Sequence, residues 1–485
     1  MRQITLHRYR YVVGFGVLAL LVLVLAIWRF WSLPNGLTSG EMSAAAAAGH
    51  FSLSQILTNV VNLPWTVLEW LSIRIFGAST FAFRLPAVIL MILAAGGLVL
   101  FLKNWYRANI AVIGGFLIVS SVLFMSLSRS GTAAAMTTFL IVAILWSALT
   151  VIRAVEEFGQ GTDKNKVRRG WRTFLAKIIL CVALALLSYQ AAGIYLVALF
   201  VVVGLIHPKT RLIFVKSKPW KIIVGTLAGL AVVAPLVLGL ISGGWAAIQQ
   251  WLVLDGAWSL EHLRSVGAAL FGFESGFSGG FVTPIIALAG LILACLGLMN
   301  IGAHIFSARS YLVVVFLLAT LVLAVWQPAL VYLLFVPLAL LLAVGLETLI
   351  GEWYGLFPRN PYARILGFVI LTILLVGLVW TSVSRFALSQ NYDAAVIDNY
   401  HQEYSAVRTV LSKEKGPVTL VAAPKDQSLY QILQREFPNL TVTNVAKKDA
   451  RNLIVVASAP VKIQQIPRQI VTNSRIKNAV LVRVY

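Results

Sequence analysis

Acids are scarce in this sequence: 17 Asp and Glu stand against 39 Lys and Arg, a formal net charge of +22. The shortage confines acid–base chemistry to few positions. Cysteine is scarcer still. Cys181 and Cys295 both fall inside apolar runs and read as small buried hydrophobes, not as a disulfide or a metal site. The six histidines are scattered, with no close pair and no Cys/His cluster, so spacing supports no metal site. Long segments lack charge altogether. The chain is 59% hydrophobic, with a mean hydropathy of +0.88, where a soluble domain has about 45–50% apolar residues. That excludes an ordinary soluble domain and points to a polytopic membrane protein. The basic residues lie in short loops between apolar runs rather than on one soluble face. The charge therefore reads as membrane topology, with no nucleic-acid partner.

What is present is a series of apolar runs at roughly 11–32, 85–102, 109–127, 133–152, 173–189, 191–206, 221–241, 281–299, 310–326, 329–347 and 365–384. Each approaches the about 20 residues needed to cross about 30 Å of hydrocarbon, so the reading is about 11 transmembrane helices. The start, "MRQITLHRYR" before "YVVGFGVLALLVLVLAIW", resembles a signal sequence. Its core is too long for a cleaved signal and no small-x-small site follows, so an uncleaved first helix is expected. With the N-terminus cytoplasmic, the basic segments 103–107, 153–172, 207–221 and 358–364 all fall inside. The opposite loops keep only Arg74, Arg84, Arg129 and Arg264. This fits the positive-inside rule, and an odd helix count puts the C-terminus outside. The expected location is the plasma (cytoplasmic) membrane.

Two outer loops are long. In the first, about 33–84, "SLSQILTNVVNLPWTVLEWLSIRIFG" carries apolar residues at helical spacing, which suits interfacial helices. The second, about 243–280, holds Trp245, Trp251 and Trp258, a headgroup-level composition. After about 390 the composition changes. Segments 417–423, 452–459 and 479–485 read as strands, 426–437 as an amphipathic helix, and "VKIQQIPRQIV" as a broken second helix. The expected organisation is a membrane domain over 1–390 and a small extracytoplasmic α/β domain over 391–485. That domain shows no Gly-rich phosphate loop.

Outer acids ahead of the small domain's core are Glu41, Glu69, Asp255, Glu261, Glu274, Asp393 and Asp398. Glu41 stands in "SGEMSAAAAAGH". It reads either as a first-turn carboxylate of a helix capped by Ser39 or as a group performing chemistry, with the alanines leaving room beside it. Arg84 and Arg129 either snorkel to headgroups or neutralise a lipid-linked phosphate. Tyr189 and Gln190, in the polar interruption "LSYQAAG", either bond a sugar hydroxyl or phosphate or close a tight turn. His50 is a weaker candidate near Glu41.

The order of these features resembles the GT-C fold glycosyltransferases that use dolichyl- or polyprenyl-phosphate sugars, such as protein mannosyltransferases and aminoarabinose transferases. The resemblance spans roughly 10–385. It rests on the acid in the first outer loop, then "NLPWTVLEWLSIRIFGASTFAFRLPAVIL" with Pro64, Phe76-Gly77 and Arg84-Leu85-Pro86, then "SLSRSG", then "VYLLFVPLALLLAVGLETLIGEWYGLFP". It implies a polyprenyl-phosphate sugar donor taken from the bilayer, an extracytoplasmic acceptor, and transfer with inversion. Glu41 would be the general base, and Arg84 and Arg129 would lie near the phosphate. No cofactor is assigned with it, and a divalent cation stays open. The family commonly has Asp-Glu where this chain has Gly40-Glu41. An emptied relative that binds lipid-linked glycan or scaffolds envelope assembly is the alternative. A transporter ranks third, because the acids cluster at one face and no repeat is evident.

Overall fold

The computed structural model describes residues 6–52, 56, 59–158, 166–206, 219–272, 276–305, 307–357, 361–414, 416–445, 452–459, 467–473 and 479–485. Among these, seven helices are long and apolar enough to cross a membrane: Thr80–Trp105, Ala133–Ala154, Gly170–Ser188, Gly229–Leu252, Arg309–Trp326, Pro328–Leu356 and Val369–Tyr392. Four shorter apolar helices accompany them: Tyr11–Ile27, Ala108–Val119, Gly193–Ile206 and Leu288–Ala303. Every apolar run of the sequence overlaps one of these segments, some only in part. The chain is a polytopic helical membrane protein with a small C-terminal α/β domain.

Full helix bounds, in chain order, are α1 (Leu6–Ile27), α2 (Ser39–Gly49), α3 (Leu63–Phe76), α4 (Thr80–Trp105), α5 (Ala108–Val119), α6 (Val122–Leu127), α7 (Ala133–Phe158), α8 (Lys166–Ser188) and α9 (Gly193–Ile206). Then come α10 (Pro219–Leu252), α11 (Leu260–Phe271), the hairpin β1 (Gly276–Ser278) and β2 (Phe281–Thr283), α12 (Leu288–Ala303), α13 (Ala308–Trp326), α14 (Phe335–Leu356) and α15 (Pro361–Tyr392).

Two runs differ from expectation. The run at 281–299 opens as strand β2 and becomes helical only at Leu288, because Gly279 and Gly280 take positive φ to turn the hairpin. The run at 109–127 breaks at Ser120-Ser121, where the Ser121 hydroxyl caps α6 by accepting from Phe124 N. The centre of the bundle is the 3₁₀ turn Pro328–Leu334 leading into α14, where 89% of the apolar window is buried. Gly297 of α12 and Gly345 of α14 allow that burial. A Cβ on either would stand 2.3 Å or 1.8 Å from a carbonyl oxygen of the facing helix. Small residues let backbones approach where lipid offers no hydrophobic drive for association.

Beyond α15 lie α16 (Ala394–Ile397), α17 (Glu403–Leu411), β3 (Val418–Val421), α18 (Gln427–Gln431), β4 (Leu440–Thr443), β5 (Leu453–Val456), β6 (Gln469–Asn473) and β7 (Ala479–Val484). The sheet order is β4-β3-β5-β7-β6. β3 runs parallel to β4 and β5, while β7 is antiparallel to β5 and β6. The three strands read from the sequence are present, and β4 is additional. The segment expected as a broken helix lies outside the described residues at 461–466 and is strand from Gln469, where pairing with β7 outweighs its local pattern.

The sheet domain sits on α2 and α3. Leu37 and His401 exchange backbone hydrogen bonds of 3.1 and 2.8 Å. Tyr404 Oη donates to Ala78 O at 3.0 Å. Glu436 accepts from Ala78 N and pairs with Arg408 at 3.0 Å. Ala45, Ala48, Ile73 and Phe83 share one apolar core with Tyr404, Tyr430, Ile432 and Leu433. Helices α2 and α3 and the C-terminal domain therefore pack together on one face of the bundle.

Candidate active site

The site is built around the start of α2. Thr38, not Ser39, is the N-cap: its hydroxyl accepts from Glu41 N at 3.2 Å, and the Glu41 carboxylate accepts from Thr38 N at 2.8 Å. This reciprocal capping box satisfies two otherwise orphaned donors. Glu41 is 1% exposed and Arg84 0%. Arg84 Nε donates to Glu41 Oε1 at 2.9 Å and Nη2 to Oε2 at 3.2 Å. Gly131 N donates to Oε1 at 2.9 Å. Each carboxylate oxygen thus accepts two hydrogen bonds. The rest of the Arg84 guanidinium binds the carbonyls of Phe30, Pro34 and Gly36 at 3.4, 2.8 and 2.5 Å. The pair therefore ties α2, α4, the α6–α7 loop and the chain leaving α1 into one unit.

Arg129 lies beside this unit on different terms. Nη1 donates to Met125 O and Ser128 Oγ at 3.0 and 3.2 Å, and Nη2 to Leu25 O and Trp28 O at 2.7 and 3.0 Å. The guanidinium stacks over Phe386 at 5.1 Å. Among the described residues no carboxylate pairs with it, and its Nε has no partner. Burial first and the Arg84 charge second disfavour this cation, pulling its pKa down. An anion placed here would relieve both.

A cavity of about 10 Å³ adjoins Arg129, lined by Thr38, Glu41, Ser126, Arg129, Gln390 and Tyr400 among others. Ser126 Oγ, Arg129 Nε and Gln390 Oε1 all lack partners, and all three belong to residues that line it. Gln390 Nε2 donates to Tyr400 Oη at 3.4 Å. Burial, then the Glu41 carboxylate, raise the Tyr400 pKa, so the phenol stays a proton donor. Buried polar atoms without partners are rare, and several on one cavity call for a water, ion or ligand oxygen.

The remaining sequence candidates lie elsewhere. Tyr189 donates to Val232 O at 2.6 Å and packs with Val60, Val61 and Leu236, a structural placement. Gln190 is 0% exposed with both amide atoms unpartnered. It sits in the turn that meets the N-terminus of α3, where Ala191 N donates to Asn62 Oδ1 at 3.0 Å. His50 Nε2 is 2.7 Å from Ser428 O, at the seam with the C-terminal domain. For a divalent cation, no group of three His, Cys, Asp or Glu converges among the described residues. The oxygens of Glu41 are already filled, so this site does not fit one.

Sequence reasoning assigned no role to Glu69, Gln390 or Tyr400. Glu69 is 0% exposed on α3, with no partner for either oxygen. Burial holds its pKa well above the ordinary carboxylate value, Trp65 one turn earlier opposes this, and Glu41 adds to it. The i, i+4, i+7 spacing of Trp65, Glu69 and Ser72 was the available signal, since all three share the buried face.

The sequence pattern of the dolichyl-phosphate-mannose-protein mannosyltransferase family matches residues 63–238. A comparison with curated proteins finds no match. Among solved structures, the chain is similar to ArnT from Cupriavidus metallidurans bound to undecaprenyl phosphate. The identity is 13% and the TM-score 0.54, over 98% of each chain. It is also similar to the Archaeoglobus fulgidus oligosaccharyltransferase tethered with an acceptor peptide, at 12% identity and a TM-score of 0.53, covering 88% of this chain and 63% of that one. The same archaeal enzyme with an inhibitory peptide and a dolichol-phosphate gives 12% and 0.52, over 88% and 64%. The chain thus spans under two thirds of the archaeal enzyme's length but nearly all of ArnT's. At these identities the likeness is one of fold, and it agrees with the order of motifs along the chain: this membrane protein shares the fold of ArnT and of the archaeal oligosaccharyltransferase.

Proposed function

We propose that the chain transfers a sugar from a polyprenyl-phosphate-linked donor to an acceptor on the extracytoplasmic side of the plasma membrane, and that the α2–α3 face is that side. One observation carries the reading. Arg129, a buried arginine with no acid partner among the described residues, borders a cavity on which Ser126 Oγ and its own Nε are unused donors. Such a site suits a phosphate oxygen. The solved relatives bound to undecaprenyl phosphate and dolichol-phosphate support the lipid class.

In the proposed step the acceptor hydroxyl attacks the anomeric carbon while the bond from that carbon to the phosphate oxygen breaks. The bonding pair leaves with the phosphate, whose growing charge Arg129 neutralises. Displacement in one step inverts the anomeric centre. Glu41 lines the same cavity and would take the acceptor's proton, giving up one of its four hydrogen bonds to do so.

That requirement favours a second reading, in which the protein binds the lipid-linked sugar without turning it over. Gly40 supplies no carboxylate, and every lone pair of Glu41 is engaged. The purified protein, incubated with radiolabelled polyprenyl-phosphate sugars and membranes of its host, separates the two. Label moving to a membrane acceptor, and failing to move with Glu41→Gln, supports transfer through Glu41. Saturable donor binding with no label transferred supports the second reading, and no binding at all overturns both.

A further inference from the structure

Resting on the lipid-phosphate reading, we infer that Tyr400 is a phosphate-binding residue delivered by the C-terminal domain, so that donor binding and docking of that domain are one coupled event. Tyr400 lines the cavity beside Arg129, Ser126 and Gln390. Its hydroxyl accepts from Gln390 Nε2 at 3.4 Å, which leaves its own proton to donate. With Arg129 Nε–H and Ser126 O–H it makes a third donor at a hole sized for one oxygen atom. Gln390, at the end of α15, orients the phenol.

The residues after Tyr400 grip the outer loop. His401 and Leu37 exchange two backbone hydrogen bonds, and Asn35 Nδ2 donates to Gln402 Oε1 at 3.3 Å. Gly36, at φ +101, lies so close that a Cβ there would be 2.8 Å from His401 O. The same loop presents the Pro34 and Gly36 carbonyls to Arg84. A ligand oxygen held by Tyr400 therefore pulls on a segment that is also the clasp between the membrane domain and the sheet domain. Linkage makes the effect reciprocal: whatever loosens the clasp weakens the phosphate site.

The test uses the full chain in nanodiscs with three probes: undecaprenyl phosphate, undecaprenol and inorganic phosphate. Affinity is measured together with amide exchange over 34–38 and 400–402. The wild type is expected to bind undecaprenyl phosphate and to slow exchange at both stretches. Tyr400→Phe, which keeps the ring and removes the hydroxyl, should weaken that binding about tenfold or more. It should also remove the slowing, while leaving undecaprenol binding unchanged. A packing role alone would move both lipids together. Inorganic phosphate reproducing the slowing identifies the anion itself as sufficient; only the lipid doing so identifies the anchored form, and both outcomes sustain the coupling. Wild-type binding with unchanged exchange at 400–402, or unchanged phosphate affinity in Tyr400→Phe, overturns the inference alone. Failure of the wild type to bind undecaprenyl phosphate overturns the functional reading, and this inference with it.

Discussion

Arg84 and Arg129 lie under the same face, both essentially sealed from solvent, and their surroundings differ. Arg84 has a carboxylate in bidentate contact and three carbonyls besides. Arg129 has carbonyls, a serine and an aromatic face, but no acid. The first is a finished structural joint, and the second a cation left short of an anion. The sequence gives both the same two readings, headgroup or phosphate. Only the three-dimensional pairing tells them apart, and it is why the phosphate role is proposed for Arg129 and not for Arg84.

The largest effect should come from breaking the joint. Arg84→Ala leaves Glu41 buried and uncompensated, a loss of about 3–5 kcal/mol. Thermal unfolding in detergent should show a large drop, or little folded protein should be recovered. If Arg84→Ala keeps the wild-type transition, the joint is not structural and the contrast between the arginines collapses.

Glu69 sharpens the comparison from the acid side. Its carboxyl is buried like that of Glu41 but, among the described residues, has no cation against it. The folded chain therefore holds a proton that the unfolded chain releases. Stability contributed by the neutral form is complete below the ordinary carboxylate pKa and falls as pH rises towards the raised value. Glu69→Gln should flatten that decline and exceed wild-type stability at its upper end. A variant with the same pH slope as wild type would mean that Glu69 is charged and paired.

The smallest effect concerns the cap. Thr38→Ala removes one half of the capping box and should cost about 1 kcal/mol. No measurable change in unfolding would show that the contacts of the Glu41 carboxylate with Arg84, Gly131 N and the backbone N of residue 38 hold the start of α2 without the hydroxyl.

Much of the membrane part is legible because twenty apolar residues leave few alternatives in lipid. Local chemistry also carried: the acid at the start of α2 does sit in its first turn. The failures have physical causes. Thr38 displaces Ser39 as cap because Glu41 reaches back three residues to Thr38 N, a choice set by the chain's path from α1. The hairpin before α12 escapes a reading by apolar runs because β2, Phe281–Thr283, leads directly into the apolar stretch that becomes the helix. Glu41 meets Arg84 across 43 residues, and Tyr400 reaches the cavity only because the C-terminal domain folds back onto the first loop. None of that closure is encoded within a window of neighbouring residues. Tyr189, chosen for its polar head, spends its hydroxyl on Val232 O and is packing.

Arg129 is proposed to bind the phosphate of a polyprenyl lipid. Undecaprenyl phosphate affinity in nanodiscs tests it most directly, comparing wild type, Arg129→Lys, which keeps the charge but loses the planar fork, and Arg74→Lys on α3 as a control. Saturable binding is expected of wild type and the control, with a loss of about tenfold or more in Arg129→Lys. Equal affinity in all three would contradict it.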